Sequence, residues 1–136
     1  MNTLNGSWIL EKNENMDEFL KELGVNLLIR KAAKIVTPTI IISSQDKHWS
    51  IKMRSSFKNK DSEFNIGEEI DEETPDGKKI RCLYYLEGDK LVCEQRDRKT
   101  RALLAIVVKT VNQDGKMVEV LTHKHVVAKR FFKRVE

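Results

Sequence analysis

Asn5-Gly6-Ser7-Trp8, then a polar run, then Met16-Asp17-Glu18-Phe19-Leu20-Lys21-Glu22-Leu23-Gly24-Val25: this stretch decides the fold. Trp8 sits in a short apolar segment that reads as a first strand, near Gly6 to Lys12. Phe19, Leu20 and Leu23 then recur at helical spacing, and Gly24 supplies a stop. A second helical stretch, Leu27 to Ile35, follows almost at once, and after Thr37-Pro38 nearly everything reads as strand. Two short helices inserted between the first and second strands of an all-β chain predict a helical lid on a barrel.

The clearest strand is His48 to Phe57. Trp49, Ile51, Met53, Ser55 and Phe57 take one face, and His48, Ser50, Lys52, Arg54 and Ser56 take the other. Ile40 to Ser43 precedes it across the turn Gln45-Asp46-Lys47. Glu63 to Ile70 reads as the next strand, with Gly67 available for a bend, and Thr74-Pro75-Asp76-Gly77 is a turn. Lys79 to Leu86, Leu91 to Arg96, Ala102 to Val111, Met117 to Thr122 and Val126 to Val135 complete the series, joined by short polar connections. Short connections between sequential strands predict an antiparallel up-and-down meander of about ten strands. A sheet that long curls or closes, and closure removes its edges. A barrel of that size has more interior than its side chains need to fill. Ser55, Gln95 and Arg130 fall on faces that should point inward, where a dry core would leave them unpaired but a partly solvated cavity would not.

The 136 residues suffice for one domain, taken as 1–136, with a sizeable core. The N-terminus lacks a basic-then-apolar signal pattern, and no apolar run approaches a membrane span. Cys82 and Cys93 are too few for a disulfide framework and read as small strand hydrophobes in a reducing compartment. The expected location is therefore the cytoplasm, where the sequon Asn5-Gly6-Ser7 would go unused. The net charge of +4 is modest, and charges of both signs are spread along the chain.

Four blocks extend the reading. They are Gly6-x-Trp8 with Leu23-Gly24-Val25; Ile29-Arg30-Lys31-Ala32 through Thr37-Pro38; Ser56-Phe57-Lys58-Asn59 with Phe64-Asn65-Ile66-Gly67-Glu68-Glu69, Asp71-Glu72 and Thr74; and the tail Ala128-Lys129-Arg130-Phe131-Phe132-Lys133-Arg134-Val135. In this order and spacing the chain resembles the intracellular lipid-binding proteins, the family of fatty-acid- and retinoid-binding proteins within the calycins. The resemblance implies a ten-stranded antiparallel β-barrel capped by a helix-turn-helix lid, a monomer, and one long-chain lipid held inside. It also implies a carrier with no enzymatic activity and no cofactor. Fatty-acid-binding members anchor the carboxylate with an Arg-x-Tyr pair on the last strand and a further Arg two strands earlier. Here Arg130 matches the first Arg, the Tyr position is Phe132 as in retinol-binding relatives, and the further Arg is absent. An ungapped register puts Thr110 in its place; one extra residue in the turn Gln113-Asp114-Gly115 puts Lys109 there instead.

Arg130 shares a face with Val126, Ala128 and Phe132, and a guanidinium there requires water, an anion or a protein carboxylate. A fatty-acid carboxylate matches its planar fork. Glu119, on the neighbouring strand, is the candidate internal partner: family register turns it inward with Met117 and Leu121, whereas the hydrophobic pattern turns Val118 and Val120 inward instead. By the same resemblance Met16, Leu20, Val25, Ala33, Phe57, Pro75 and Asp76 match the ligand portal, with Phe57 as its gate. Met53, Ser55, Cys93 and Gln95 match the cavity wall. Lys21, Arg30, Lys31 and Lys34 cluster on the lid, where members of the family touch anionic membranes, and Lys21, Arg30 and Lys31 resemble a nuclear-import patch that would add the nucleus as a second location.

His123 and His125 have no third ligand at metal spacing, so no metal site is expected. No nucleophile elbow, phosphate loop or metalloprotease motif appears. The leading expectation is a carrier of a long-chain fatty acid, and the alternative is a carrier of a retinoid or other neutral lipid. A nucleic-acid-binding β-barrel, suggested by the pI of about 9.1, is a remote third. Such barrels interleave exposed aromatics with basic residues, and the basic face formed by His48, Lys52 and Arg54 has none.

Overall fold

The computed structural model describes residues 3–135, which form ten strands and two helices. The strands are β1 (Gly6–Glu14), β2 (Thr39–Gln45), β3 (His48–Arg54), β4 (Lys60–Asn65), β5 (Glu69–Glu73), β6 (Lys79–Glu87), β7 (Lys90–Asp97), β8 (Leu103–Val111), β9 (Met117–His123) and β10 (Val126–Val135). The helices α1 (Met16–Glu22) and α2 (Leu27–Ile35) lie between β1 and β2. The sheet runs β4-β3-β2-β1-β10-β9-β8-β7-β6-β5, each strand antiparallel to its neighbours. It is an up-and-down barrel that stops just short of closing, because β4 and β5 do not pair. The ion pair Lys60–Glu72, at 2.9 Å, spans that gap.

Most strand ends shift by one to three residues from the sequence reading, and two boundaries differ in a way that moves candidate residues. β3 ends at Arg54, so Ser55 and Phe57 belong to a turn and not to the strand. Ser55 Oγ accepts from the backbone N–H groups of Phe57 (3.2 Å) and Lys58 (2.9 Å) and donates to Lys58 O (2.7 Å). These local bonds compete with the ladder and turn the chain. The run Glu63 to Ile70 is two strands, not one. Gly67, at φ 86°, breaks it, and the backbone N–H of Glu68 donates back to Asn65 O at 3.1 Å.

The largest fully buried side chains are Trp8, Trp49, Phe132, Leu4, Ile42, Ile80, Leu91, Met117 and Cys82. Phe64 stacks between Trp49 and Tyr84, with ring centroids 6.3 Å and 3.6 Å away. Trp8 Nε1 donates to Leu4 O at 2.9 Å, so the indole is satisfied where it is buried. The lid is held more lightly. α1 carries Asp17 and Glu18 in its first turn and Lys21 in its last, as the helix dipole favours, and it buries Phe19. α2 is capped by Asn26, whose side chain accepts from the N–H of Ile29, and contributes no buried residue. Arg30 ties α2 to α1, donating to Asp17 at 3.2 Å and to Val25 O at 3.1 Å.

Candidate functional site

A cavity of about 420 Å³ lies between the helix pair, the turns after β3 and β5, and the barrel interior. Its mouth is lined by Met16, Leu20, Val25 and Ala33 from the lid and by Phe57, Pro75 and Asp76 from the turns. Ser55 lines it from the turn after β3, Met53 and Gln95 from β3 and β7, and Arg130 and Asn13 stand across from each other on β10 and β1. Phe57 is half exposed at the mouth. Asp76 accepts from the Thr74 hydroxyl, which holds the β5–β6 turn. Two lysines strap the rim: Lys58 Nζ donates to Pro75 O at 3.3 Å, and Lys78 Nζ donates to Leu23 O at 3.2 Å.

The inner polar group answers both register questions. Ala105, Val107 and Lys109 form the buried face of β8, and Met117, Glu119 and Leu121 that of β9. Val118 and Val120 are only half buried on the opposite face, so the hydrophobic pattern misassigns this strand. Residues 112–116 make the turn, closed by Asn112 N–H to Lys116 O at 2.8 Å, and pair Lys109 with Glu119. Thr110 is thereby set on the other face and is not an interior residue; Lys109 takes that place.

Lys109 Nζ lies 2.9 Å from Glu119 Oε2, and both side chains are about nine-tenths buried. Burial opposes each charge, but their mutual attraction prevails. The Lys109 ammonium is held above its usual pKa by the Glu119 carboxylate. Glu119 is held below the usual carboxylate range by Lys109 and, less strongly, by Arg130. Arg130 stands further off, its Nη1 3.9 Å from Glu119 Oε1, while its Nε donates to Asn13 Oδ1 at 3.1 Å. Its guanidinium lies 5.5 Å from the centroid of the Phe132 ring, which is fully buried beneath it. Glu119 thus satisfies Lys109 first. Two cations against one carboxylate leave a surplus positive charge at Arg130, the member of the three that lines the cavity.

The remaining sequence candidates separate. Arg30 and Lys34 reach the cavity rim, Arg30 committed to Asp17 and Val25, while Lys21 and Lys31 are exposed. Cys82 and Cys93 are free, buried thiols, and their mutual hydrogen bond and burial push Cys82 well up, so it stays protonated. His123 is buried against Leu104 O, and no group of three or more His, Cys, Asp or Glu among the described residues can hold a metal. Asn13 and the gap pair Lys60–Glu72 were missed by sequence reasoning. No sequence signal marks Asn13, because the bulge between Leu10 and Lys12 shifts the strand's parity.

A nearly closed ten-stranded barrel with a helix pair over an apolar-mouthed cavity is the architecture of a carrier of hydrophobic molecules. Residues 5–135 match the Lipocalin / cytosolic fatty-acid binding protein family, and the chain belongs to that family. It is 40% identical over 133 residues to the sodium/calcium exchanger regulatory protein 1 of Doryteuthis pealeii, covering 98% of this chain and 97% of that one. It is 40% identical over 132 residues to a fatty acid-binding protein of Tyrophagus putrescentiae, covering 96% and 97%. The structure of the Schistosoma mansoni fatty acid binding protein in complex with arachidonic acid superposes with a TM-score of 0.92, at 30% identity over 100% of this chain and 98% of that one. The chain is a lipid carrier and not an enzyme. No helix among the described residues is long and apolar enough to cross a membrane.

Proposed function

We propose that the chain carries a long-chain fatty acid, its carboxylate at Arg130 and its alkyl chain running toward the portal. The observation that carries this reading is the surplus cation. Glu119 is taken by Lys109 at 2.9 Å, and Arg130 faces the cavity with its charge only partly offset at 3.9 Å. A neutral lipid would leave that charge uncompensated in a poorly hydrated site, whereas a carboxylate completes it. The alkyl chain contributes about 0.8 kcal/mol per buried methylene, before ordering costs. The cavity falls within the roughly 300–1,000 Å³ usual for ligand sites.

Arg130→Gln tests the reading. A hydrogen bond to a charged group is worth roughly 1.5–3 kcal/mol, so palmitate affinity should fall by about one to two orders of magnitude, with the fatty alcohol changing far less. A parent protein that prefers alcohol or retinol to acid, together with unaltered acid binding in the variant, refutes the fatty-acid reading and favours a neutral ligand.

The lid supports a second element of the reading, delivery by contact with anionic membranes. Leu27, Leu28 and Ile35 are 53%, 79% and 85% exposed and share one arc of α2 with Lys31 and Lys34. Apolar side chains flanked by lysines on an exposed helix face suit an anionic bilayer surface.

A further inference from the structure

Among the described residues, nothing accepts a hydrogen bond from the amide N–H group of Asn13, which lines the cavity. β1 turns Trp8 and Leu10 inward, opposite Arg134 and Phe132, and strict alternation would bring Lys12 in next. The register shift between Leu10 and Lys12 adds one residue, and Asn13 stands opposite Arg130 instead. The facing atom of Asn13 is 3.1 Å from Arg130 Nε. A guanidinium has only N–H donors, so that atom must be the amide oxygen, and the Nδ2 amino group points elsewhere. No described residue accepts from it. On Arg130, Nε is engaged by Asn13 and Nη1 is drawn toward Glu119, while Nη2, on the same edge as Nε, has no contact among the described residues. Phe132 is fully buried and has no polar atom, so a second headgroup donor has to come from another strand.

We infer that Asn13 is a direct ligand of the lipid carboxylate: Arg130 Nη2 donates to one oxygen and Asn13 Nδ2 to the other, with Asn13 Oδ1 holding Arg130 Nε between them. This deepens the fatty-acid reading and rests on it. The amide serves two purposes, fixing the edge of the guanidinium and closing a three-membered ring of hydrogen bonds that a carboxylate completes. A methyl ester, with its alkylated oxygen, does not.

The test compares palmitate with methyl palmitate in the parent protein, in Asn13→Leu and in Arg130→Gln. The parent should prefer the acid. Asn13→Leu, which keeps the branched shape and removes both polar atoms, should lose about tenfold in palmitate affinity and keep its methyl palmitate affinity within about twofold. An unchanged preference for acid in Asn13→Leu, beside its loss in Arg130→Gln, overturns the role of Asn13 and leaves the fatty-acid reading standing. A parent with no preference for acid overturns both. Should Asn13→Leu fail to fold, the side-chain amide resonances of Asn13 in the ¹⁵N-labelled parent decide. A downfield shift of one amide proton with palmitate and not with methyl palmitate supports direct ligation, and equal shifts with both refute it.

Discussion

Replacing Glu119 by Gln separates the structural and functional tasks of the inner polar group. The carboxylate is about nine-tenths buried, 2.9 Å from a lysine buried as deeply. Removing it leaves Lys109 charged and unpaired, which costs about 3–5 kcal/mol. The lysine's escape is to lose its proton, and from an ordinary value near 10.4 to pH 7 that costs about 4.6 kcal/mol, so neutralisation offers no cheaper route. For 136 residues, an unfolding entropy of about 2.1 cal/mol/K per residue converts the loss into a melting temperature lower by about 10–17 °C. Ligand binding should move the other way. A bound carboxylate on Arg130 would lie roughly 7 Å from Glu119, and at an effective dielectric of about 20 removing that repulsion is worth about 2 kcal/mol, or some 30-fold in affinity. Calorimetric melts of the ligand-free protein and titration with palmitate read the two effects separately. Lys109→Met with Glu119→Leu, which removes both charges, should recover most of the lost stability. A Glu119→Gln protein that melts within about 3 °C of the parent, or binds palmitate more weakly, refutes the charge arrangement.

The same pair sets a pH dependence. Glu119 titrates below its unfolded value, so its contribution is present above about pH 4.3 and is lost as pH falls through the lower folded value. Lys109 titrates above its unfolded value, so its contribution is complete below about pH 10.4 and is lost as pH rises through the higher folded value. The apolar double variant should therefore unfold less steeply in acid than the parent.

Phe57→Ala should change palmitate dissociation in stopped flow while costing only about 0.5 kcal/mol of stability, since the ring is half exposed at the mouth; unchanged rates beside a large fall in melting temperature would place it in the core instead. Neutralising Lys21, Lys31 and Lys34 should slow ligand transfer to anionic vesicles and spare transfer to neutral ones, because each such charge is worth about 1 kcal/mol at an anionic surface. A parent whose transfer ignores vesicle charge would exclude membrane delivery through the lid. Lys60→Met leaves Glu72, whose side chain is 7% exposed, with only the Tyr84 hydroxyl at 3.4 Å among the described residues, and should cost about 1–3 kcal/mol. Hydrogen exchange should quicken in β4 and β5 first, and uniform quickening through the sheet would show that the pair does not close the gap.

The helix pair was legible because periodicity switches from two to 3.6 and back within a stretch that carries its own stop and turn signals. The strands were legible where one face is wet. They failed where parity changes silently. Phe64, Ile66 and Ile70 keep an even count across the Gly67 turn, so two strands read as one. Ser55 and Phe57 continue the alternation of β3 by count, although the Ser55 hydroxyl has already turned the chain. β9 offers Val118 and Val120 on one face and Met117 and Leu121 on the other, so apolarity alone cannot choose; the Lys109–Glu119 pairing across the turn does. Asn13 was hidden by the bulge in β1, which brings an odd-numbered residue to a face that Trp8 and Leu10 had marked as even.

A carrier has to hold its ligand and also let it go, and the two demands fall on different parts of this chain. The stacked Trp49, Phe64 and Tyr84 and the buried Trp8 and Phe132 belong to the barrel, and opening the lid requires none of them to move. Lifting α2 breaks the bonds from Arg30 to Asp17 and Val25 O but exposes no buried residue of the helix itself. Freeing the α1–α2 turn from the rim breaks the bond from Lys78 to Leu23 O. Each is a partly exposed polar contact worth about 1–3 kcal/mol at most, small beside the burial of a long alkyl chain. On the proposed reading, low-cost opening at the mouth would coexist with tight holding at the base, and ligand exchange would proceed without loss of the fold. Core substitutions should therefore lower stability with little effect on exchange, while substitutions at Arg30, Phe57 or Lys78 should do the reverse.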